Sequence, residues 1–289
     1  MGHEAQRRMA ESDVLLVGLR GVGIEIAKNL ALMGVKSLAL YDPAPVEPSD
    51  LSAQFYLSEG VVGTPRATAC VASIAALNQY VKVKVVPDGT DLASILGSFC
   101  VVCVCDARWE QQVTLNKAAA ALRKPSSQTG PYFVSVESRG VFGRLFCDFG
   151  EGFTVVDNNG EPPKSAMIGG ISQGTPATIT VLEQRHDFES NDVVTFAEVQ
   201  GMTQLNGAAP VPVTVTGPQS FTIPSTDGML PYVSAGVVTQ VKQPEAVDFA
   251  RLEAAVEAPK FVSADFSKDH NLPVVHAAFQ ALHAFHDTH

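Results

Sequence analysis

The sequence lacks dense runs of Lys and Arg, long apolar stretches and the pattern of a secretory leader. Its 289 residues include 20 basic and 30 acidic side chains, for a formal net charge of -10. Because nucleic-acid-binding surfaces concentrate positive charge, we expect no nucleic-acid partner. No segment approaches the roughly 18 apolar residues of a membrane-spanning helix, and no basic region precedes an apolar one at the N-terminus. We therefore expect no membrane partner and a cytoplasmic and nuclear location.

Cysteine is sparse and irregularly spaced, which argues against a disulfide framework. The chain has 5 cysteines, and three of them, Cys100, Cys103 and Cys105, fall in the segment FCVVCVCD. This spacing could hold a metal ion, but no second pair of ligands follows at zinc-site spacing. Because the remaining residues are mostly valine, we expect a buried central strand in which cysteine acts as a small apolar residue.

Histidine is concentrated near the end of the chain. Four of the 7 histidines, His276, His283, His286 and His289, lie in a segment with helical apolar spacing. Imidazoles on neighbouring helical faces can bind a metal, but no carboxylate stands at ligand spacing. We therefore expect no metal site in this chain.

Strand and helix patterns alternate through the first part of the chain. The apolar spacing predicts helices at 66–77 and 109–122 and strands between them. Residues 141–150 are predicted to form a hairpin-like pair with 153–156. Repeated βα units of this kind predict an α/β fold with a doubly wound, mostly parallel sheet.

The pattern changes near residue 165. Short β-rich runs separated by Gly, Pro, Asn and Asp replace the helical spacing. Helical spacing returns after Pro244, where Phe249, Leu252 and Val256 are predicted to share one face of a helix. We expect three parts: an α/β domain at 1–165, an inserted small all-β domain at 166–243, and the start of a helical segment at 244–289. The last helix then needs an apolar partner surface inside this sequence or beyond it.

The segment DVLLVGLRGVGIEIA, residues 13–27, resembles a dinucleotide-binding loop without matching it. Gly18 and Gly23 fit the outer positions of G-x-G-x-x-G, Gly21 lies between them, and Asp42 follows at the distance of a ribose-binding carboxylate. Arg20 occupies the middle position, where glycine lets the backbone approach a pyrophosphate.

An arginine at this position changes what the loop can bind. Its side chain takes up the space of the missing glycine and screens the helix N-terminus, although a guanidinium can also hold a phosphate by a bidentate contact. We therefore predict that the loop formed by Gly18, Arg20, Gly21, Gly23 and Asp42 is a structural turn that binds no nucleotide. The chain is predicted to hold no catalytic residue and to need no cofactor of its own.

Five blocks in order along the chain resemble the N-terminal part of ubiquitin-activating enzymes. They are GLRGVGIEIAKNLALMGVKSLALYD (18–42), DLSAQFYL (50–57), RGVFGRLFCDFGEGF (139–153), RHDFESNDVVTFAEVQGM (185–202) and FQALHAF (279–285). The resemblance implies a Rossmann-like fold of the ThiF/MoeB adenylation type. It also implies that this chain corresponds to the inactive one of the family's two adenylation domains.

The resemblance also explains the altered loop. The active adenylation domain has an Asn-x-x-Arg-Gln segment and a lysine that meet ATP, whereas this chain has Ala53 at the arginine position and Arg66 at the lysine position. Asp106 corresponds to a metal-binding aspartate. ATP and Mg²⁺ are thus expected for the full-length enzyme and not for this chain.

The all-β part resembles the first catalytic-cysteine half-domain, which carries no thioester cysteine, and no cysteine follows Cys147. The expected partners are ubiquitin and the active adenylation domain of the same full-length chain. Asp187, Glu189 and Glu198 are predicted ubiquitin contacts, on the ground that ubiquitin has a basic face. A solvated strand edge is the alternative interpretation of the same acids.

Two other functions remain open from the sequence. One is an NAD-dependent oxidoreductase, which rests on the glycine loop and Asp42. The other is the partner subunit of an activating enzyme for a different modifier, such as SUMO. The block at 185–202 argues against this second alternative.

One departure from the family concerns the N-terminus, where an Arg-Gln-containing helix usually precedes the Gly-His-Glu-Ala segment that here occupies residues 2–5.

Overall fold

The computed structural model describes residues 3–124, 129–183, 185–263 and 265–288. The chain forms two compact units: a sheet-and-helix unit, Met1–Phe153 with Val247–His289, and a β unit, Thr154–Ala246. The β unit thus begins before the boundary predicted at 166, and most of the segment predicted at 244–289 belongs to the sheet-and-helix unit. These units divide the chain differently from the predicted domains, whose boundaries stay predictions.

A six-stranded sheet forms the centre of the sheet-and-helix unit. Its strands are β1 (Asp13–Val17), β2 (Ser37–Tyr41), β3 (Lys82–Val85), β4 (Val101–Cys105), β5 (Tyr132–Arg139) and β6 (Phe142–Asp148). The spatial order is β3-β2-β1-β4-β5-β6, and the first five strands are parallel. The mostly parallel sheet predicted from the sequence is present, and the strand order reverses direction between β1 and β4.

Seven α-helices belong to the described part of this unit. They are α1 (His3–Ala10), α2 (Gly21–Met33), α3 (Arg66–Leu77), α4 (Leu92–Ile95), α5 (Trp109–Leu122), α6 (Leu252–Glu257) and α7 (Asn271–Thr288). The predictions at 66–77 and 109–122 are confirmed. The left-handed residue Gly34, with φ of 81°, ends α2. No helix in the described ranges is both long and apolar enough to cross a membrane.

Side chains of β1 alternate between two apolar cores, which lie on opposite faces of the sheet. Leu16 packs with Ile24 of α2 and Ile74 of α3. Leu15 packs with Leu115 of α5, and Leu252 of α6 belongs to the same core. Because both faces are covered, β1 and β4 consist almost wholly of buried apolar residues, and the cysteine segment forms β4 as predicted.

Two details of the predicted elements are wrong. Strand β6 pairs antiparallel with β5, from Phe133↔Asp148 to Arg139↔Phe142, and not with residues 153–156. Helix α6 begins at Leu252, so Phe249 lies outside it. The ring of Phe249 instead packs at a tilt against that of Phe149, with ring centroids 4.8 Å apart.

The β unit is built on one antiparallel seven-stranded sheet. Its strands are β8 (Ser165–Ile171), β9 (Ala177–Val181), β10 (Val193–Ala197), β11 (Val211–Pro212), β12 (Thr214–Gly217), β13 (Ser220–Ile223) and β14 (Val237–Val241). Their order is β11-β10-β14-β8-β9-β13-β12. Alternate residues such as Ile179, Phe196 and Phe221 point into one apolar core. Two short strands, β7 (Phe153–Val155) and β15 (Glu245–Val247), pair where the chain enters and leaves this segment.

Candidate functional site

A cavity of about 860 Å³ opens at the carboxyl ends of the parallel strands in the sheet-and-helix unit. Its lining includes Val17 of β1, Tyr41 of β2, Cys105 of β4 and Ser138 of β5. Open parallel sheets bind ligands at this edge, where the strand order reverses. The cavity is therefore the candidate site of this unit, and the predicted glycine loop lies on its wall.

The outer glycines of the loop are required for close packing. Gly18 has φ of 87°, and a Cβ atom on it would lie 2.2 Å from the carbonyl oxygen of Cys105. A Cβ atom on Gly23 would lie 2.0 Å from the carbonyl oxygen of Gly18. Gly21 differs, because a Cβ there would meet its nearest atom, in Ala53, at 3.5 Å.

These distances predict opposite tolerance for two substitutions in one loop. Gly23→Ala should lower the free energy of unfolding by about 2 kcal/mol or more, because the backbone must shift to admit the methyl group. Gly21→Ala should change it by less than about 1 kcal/mol, and helix propensity favours alanine there. Urea denaturation of both variants measures the difference. Equal losses would contradict the packing role of Gly23.

Arg20 lies on the wall of the cavity and does not fill it. It occupies the N-cap position of α2, and 56% of its side-chain surface is exposed. Its Nη2 atom lies 3.9 Å from Oε2 of Glu47. The expectation that this side chain takes up the space of the crevice is therefore wrong. The prediction that the loop binds no nucleotide is not tested by this geometry and stays a prediction.

Arg66 forms the centre of a buried ionic network beside the loop. Its side chain is 2% exposed, and its Nε donates to Oδ2 of Asp50 at 2.7 Å. Its other nitrogens lie 3.6 Å from Asp42 and 3.8 Å from Glu47. Three carboxylates therefore surround the guanidinium at the position that the resemblance assigns to an ATP-binding lysine.

Hydrogen bonds within the protein occupy the acids of this network. Asp42 accepts from the backbone N–H of Leu19 at 2.8 Å. Burial raises the pKa of Asp50, but hydrogen bonds from the Glu47 N–H and from Arg66 outweigh it, so this pKa lies below its ordinary value. Asp42 thus supports the loop and Arg66, which is a different role from contacting a ribose.

Asp106 is also held by neighbouring protein groups. It lies directly after β4 with φ of 49°, in the left-handed region that non-glycine residues rarely adopt. Its Oδ1 accepts from the Ser138 N–H and from Nη1 of Arg139, both at 2.8 Å, and its Oδ2 accepts from the Ser138 hydroxyl at 3.3 Å. The carboxylate at the expected metal-binding position is therefore engaged by a hydroxyl and a guanidinium.

A buried cluster that sequence reasoning missed joins α7 to the sheet. Nε2 of His283 lies 2.9 Å from Oε1 of Glu137, and the His283 ring stacks on Trp109 at 5.1 Å. Arg144 contacts the other oxygen of Glu137 at 2.5 Å and lies over the Trp109 ring. Burial raises the pKa of Glu137, but His283, Arg144 and Arg139 outweigh it, so its pKa is lowered.

The terminal histidines do not form a common patch. His283 is buried against Glu137, whereas His276 lies 3.1 Å from the carbonyl oxygen of Val256 and His286 is exposed. His289 lies outside the described residues. No group of three or more potential metal ligands is found among the described side chains.

The cysteines of β4 are buried thiols. The Sγ atoms of Cys103 and Cys105 lie 3.9 Å apart, and the contact with Cys103 together with burial raises the pKa of Cys105 far above its ordinary value. A thiol whose pKa is raised is a poor nucleophile.

The three acids predicted to contact ubiquitin lie at two places in the β unit. Asp187 and Glu189 precede β10, and Glu198 follows it, so the five residues of that strand, about 17 Å at the usual rise, separate them. Asp187 pairs with Arg185 at 2.7 Å and Glu189 with Lys164 at 3.3 Å. All three are exposed.

Family comparisons agree with the architecture of an α/β unit with an all-β insertion. Residues 174–242 match the ubiquitin-activating enzyme E1 FCCH domain, and residues 243–289 match the ubiquitin-activating enzyme E1 four-helix bundle. These two parts of the chain are therefore similar to domains of E1-type activating enzymes.

Two relatives extend this similarity to the whole chain. The chain is 41% identical to ubiquitin-like modifier-activating enzyme 1 of Homo sapiens over 286 residues. The aligned region covers 99% of this chain and 26% of that relative. It is 42% identical over 290 residues to ubiquitin-activating enzyme E1 1 of Candida albicans, over 100% of this chain and 27% of the relative. The chain is thus a relative of ubiquitin-activating enzymes, similar throughout to their N-terminal region and spanning about a quarter of their length. The resemblance stated from the sequence blocks is confirmed.

Proposed function

We propose that this chain supplies the non-catalytic N-terminal part of a ubiquitin-activating enzyme. The complete enzyme would use ATP and Mg²⁺ to adenylate the C-terminus of ubiquitin and would then form a thioester. The similarity over the whole chain to enzymes of that name supports this function over an NAD-dependent oxidoreductase and over a subunit for a different modifier.

The non-catalytic assignment rests on one observation: the charged side chains of the site form ion pairs with one another. Adenylation requires cations positioned on phosphate and a carboxylate free to hold Mg²⁺. Here Asp42 and Asp50 bind Arg66, Asp106 binds Arg139, and Ala53 has no charge. The residues present therefore do not fit ATP with its magnesium ion, and we derive no catalytic step at this site.

The remaining parts of the proposal concern the roles of the two units. The strand order β3-β2-β1-β4-β5 supports a Rossmann-like adenylation fold that pairs with the active adenylation domain of a longer chain. The β unit would form part of the platform for ubiquitin, and Asp187, Glu189 and Glu198 would face its basic surface. We propose that the enzyme acts in the cytoplasm and nucleus.

An ATP–pyrophosphate exchange assay tests the proposed division of labour. The chain alone should show no ubiquitin-dependent exchange. The same chain fused to the remaining C-terminal three quarters of the Homo sapiens relative should exchange at a rate close to that relative's own. Exchange by the chain alone would overturn the assignment, and an inactive but folded fusion would contradict the family role.

The same fusion locates the ubiquitin contacts. Exposed ion pairs contribute about 0.2–1 kcal/mol each, so Asp187→Lys with Glu189→Lys should raise the KM for ubiquitin about threefold or more. Glu198→Lys tests the other end of β10 separately. Glu161→Lys is the matched control, because Glu161 is an exposed acid of the same unit. A rise in KM equal to that of the control would remove these acids from the proposal.

A further inference from the structure

The sequence contains two Asn-Gly pairs, Asn159-Gly160 and Asn206-Gly207, and both lie in the β unit. In such a pair the backbone nitrogen of glycine can attack the side-chain carbonyl carbon of asparagine, because no glycine side chain hinders the approach. Both pairs are exposed, and the two glycines have nearly the same left-handed φ, 68° and 71°. A difference in their reactivity therefore depends on the groups that contact each pair.

At Asn159-Gly160 the attacking nitrogen lies beside a carboxylate. The Gly160 N–H donates to Oδ1 of Asp157 at 3.0 Å. The hydrogen bond from Lys242, together with the one from Gly160, lowers the pKa of Asp157, so its carboxylate is ionised at neutral pH. An ionised carboxylate within hydrogen-bond distance of an N–H group can accept the proton as a general base.

Two donors hold the side-chain carbonyl group of Asn159. Nζ of Lys242 donates to Oδ1 of Asn159 at 2.5 Å, and the backbone N–H of Glu161 donates to the same oxygen at 3.1 Å. Attack at Cγ places negative charge on this oxygen, and donors already directed at it stabilise that charge. Among the described residues, none accepts a hydrogen bond from Nδ2 of Asn159, the nitrogen that must leave.

Asn206-Gly207 has the opposite arrangement. Nδ2 of Asn206 donates to the carbonyl oxygen of Val199 at 2.9 Å, and Oδ1 accepts from the Val199 N–H at 2.8 Å. The Gly207 N–H donates to the carbonyl oxygen of Phe196 at 3.4 Å, and a carbonyl oxygen takes up no proton at neutral pH. These contacts hold the leaving nitrogen in place and offer the attacking nitrogen no base.

We propose that Asn159-Gly160 is a site of spontaneous covalent modification, activated by Asp157 and Lys242. The Gly160 nitrogen forms a bond to Cγ of Asn159 while the bond between Cγ and Nδ2 breaks. The proton of the Gly160 N–H passes through Asp157 to the departing nitrogen, which leaves as ammonia. Water then opens the resulting five-membered imide ring at either of its carbonyl groups and gives aspartate or isoaspartate at residue 159.

The reaction changes the charge of the loop between β7 and β8. Residue 159 becomes a second acid beside Lys242, which already pairs with Asp157 at 2.6 Å. The isoaspartate form also lengthens the backbone of the loop, because the chain then runs through the side-chain carbon. This modification of the β unit needs no cofactor and is independent of adenylation.

Peptide mapping by mass spectrometry of the whole chain, incubated in the folded state at neutral pH, tests the proposal. The carboxylate forms should accumulate at residue 159 at least about tenfold faster than at residue 206, because the two hydrogen bonds that hold the Asn206 amide must break first. In guanidinium chloride the two rates should become similar, since only the folded chain supplies these contacts.

Two variants test the activating groups. Lys242→Met removes a donor from the carbonyl oxygen, and Asp157→Asn replaces the base by an amide that takes up no proton. Each should slow the reaction at residue 159 at least about threefold and leave the rate at residue 206 unchanged. Circular dichroism of each variant checks that it is folded.

Glu245→Gln is the matched control. Glu245 accepts a hydrogen bond from Asn158 of the same loop at 3.3 Å, so the rate at residue 159 should stay within about twofold. Equal rates at the two pairs in the folded chain, or no modification at residue 159, would overturn the proposal. An unchanged or faster reaction in Lys242→Met and Asp157→Asn would overturn it too, because these contacts would then restrain the loop without activating it. Slowing by Glu245→Gln to the same extent would likewise count against the two activating groups.

Discussion

Replacing Arg66 by methionine is expected to lower the free energy of unfolding by about 3–5 kcal/mol. Methionine fills a similar volume but leaves Asp42 and Asp50 buried without their cation, and breaking a buried ion pair costs this much. Both acids are less than one tenth exposed, so water compensates little. Urea denaturation followed by circular dichroism measures the loss.

Two controls separate the ionic network from the size of the substituted side chain. Arg20→Met removes the same type of group from the wall of the cavity and should cost less than about 1 kcal/mol, because Arg20 is half exposed. Adding Asp42→Asn and Asp50→Asn to Arg66→Met should recover part of the loss, because the neutral amides need no cation. If Arg66→Met alone lowered the free energy of unfolding by less than about 1 kcal/mol, Asp42 and Asp50 would not need Arg66 as their cation.

Replacing Glu137 by alanine should cost about 3–5 kcal/mol and release the end of α7. The substitution leaves Arg144 and His283 buried without the acid that pairs with both. Trp109 is the only tryptophan in the chain, and it stacks on His283. Its fluorescence emission should therefore shift as α7 detaches, at denaturant concentrations below those that unfold the sheet.

A matched control and a pH series test the same cluster. Glu253→Ala removes an acid that pairs with Lys117 in an exposed position and should cost less than about 1 kcal/mol. The pKa of Glu137 is lower in the folded state than its ordinary value of 4.5. Its pairing therefore adds stability above that pH, and the contribution is lost as the pH falls through the folded pKa. Glu137→Gln should reduce the loss of unfolding free energy at acidic pH. An unchanged dependence of the unfolding free energy on pH would contradict the pairing.

Local patterns were sufficient to predict helices α3 and α5 but not the pairing of β6. Helices α3 and α5 have their predicted limits because apolar spacing and the residues at their ends are properties of the local sequence. The partner of β6 depends on which strand lies beside it in space. Residues 139–142 form a tight connection, so β6 folds back on β5, whereas the pattern of residues 141–156 alone suggested a hairpin further along.

The glycine loop was predicted in place, but the charges around it were not. Gly18 and Gly23 have backbone roles that a motif records. Arg66 binds acids 16 and 24 residues away, and no periodic pattern relates them. The space left open beside Arg20 is likewise a property of neighbouring strand ends, which a linear motif does not contain.

One available signal pointed to the Glu137 cluster. Alternate residues of β5 share a face, so Phe133, Ser135 and Glu137 all point into the core. A carboxylate on the buried face of a strand needs a cationic or hydrogen-bonding partner. The partner His283 lies 146 residues away, so the sequence indicated that a partner was needed without indicating which residue.

The pairing of β7 with β15 has a consequence for how such a chain can be assembled. The segment between them leaves from β7 and returns at β15, so the pairing of these two strands holds its ends together. The backbone hydrogen bonds of this pairing offset the entropy lost in closing so long a loop. The contact between the rings of Phe249 and Phe149 stabilises the same closure. The insertion is therefore connected to the sheet-and-helix unit as a short hairpin would be, so a domain can be added at this point without changing the core of that unit.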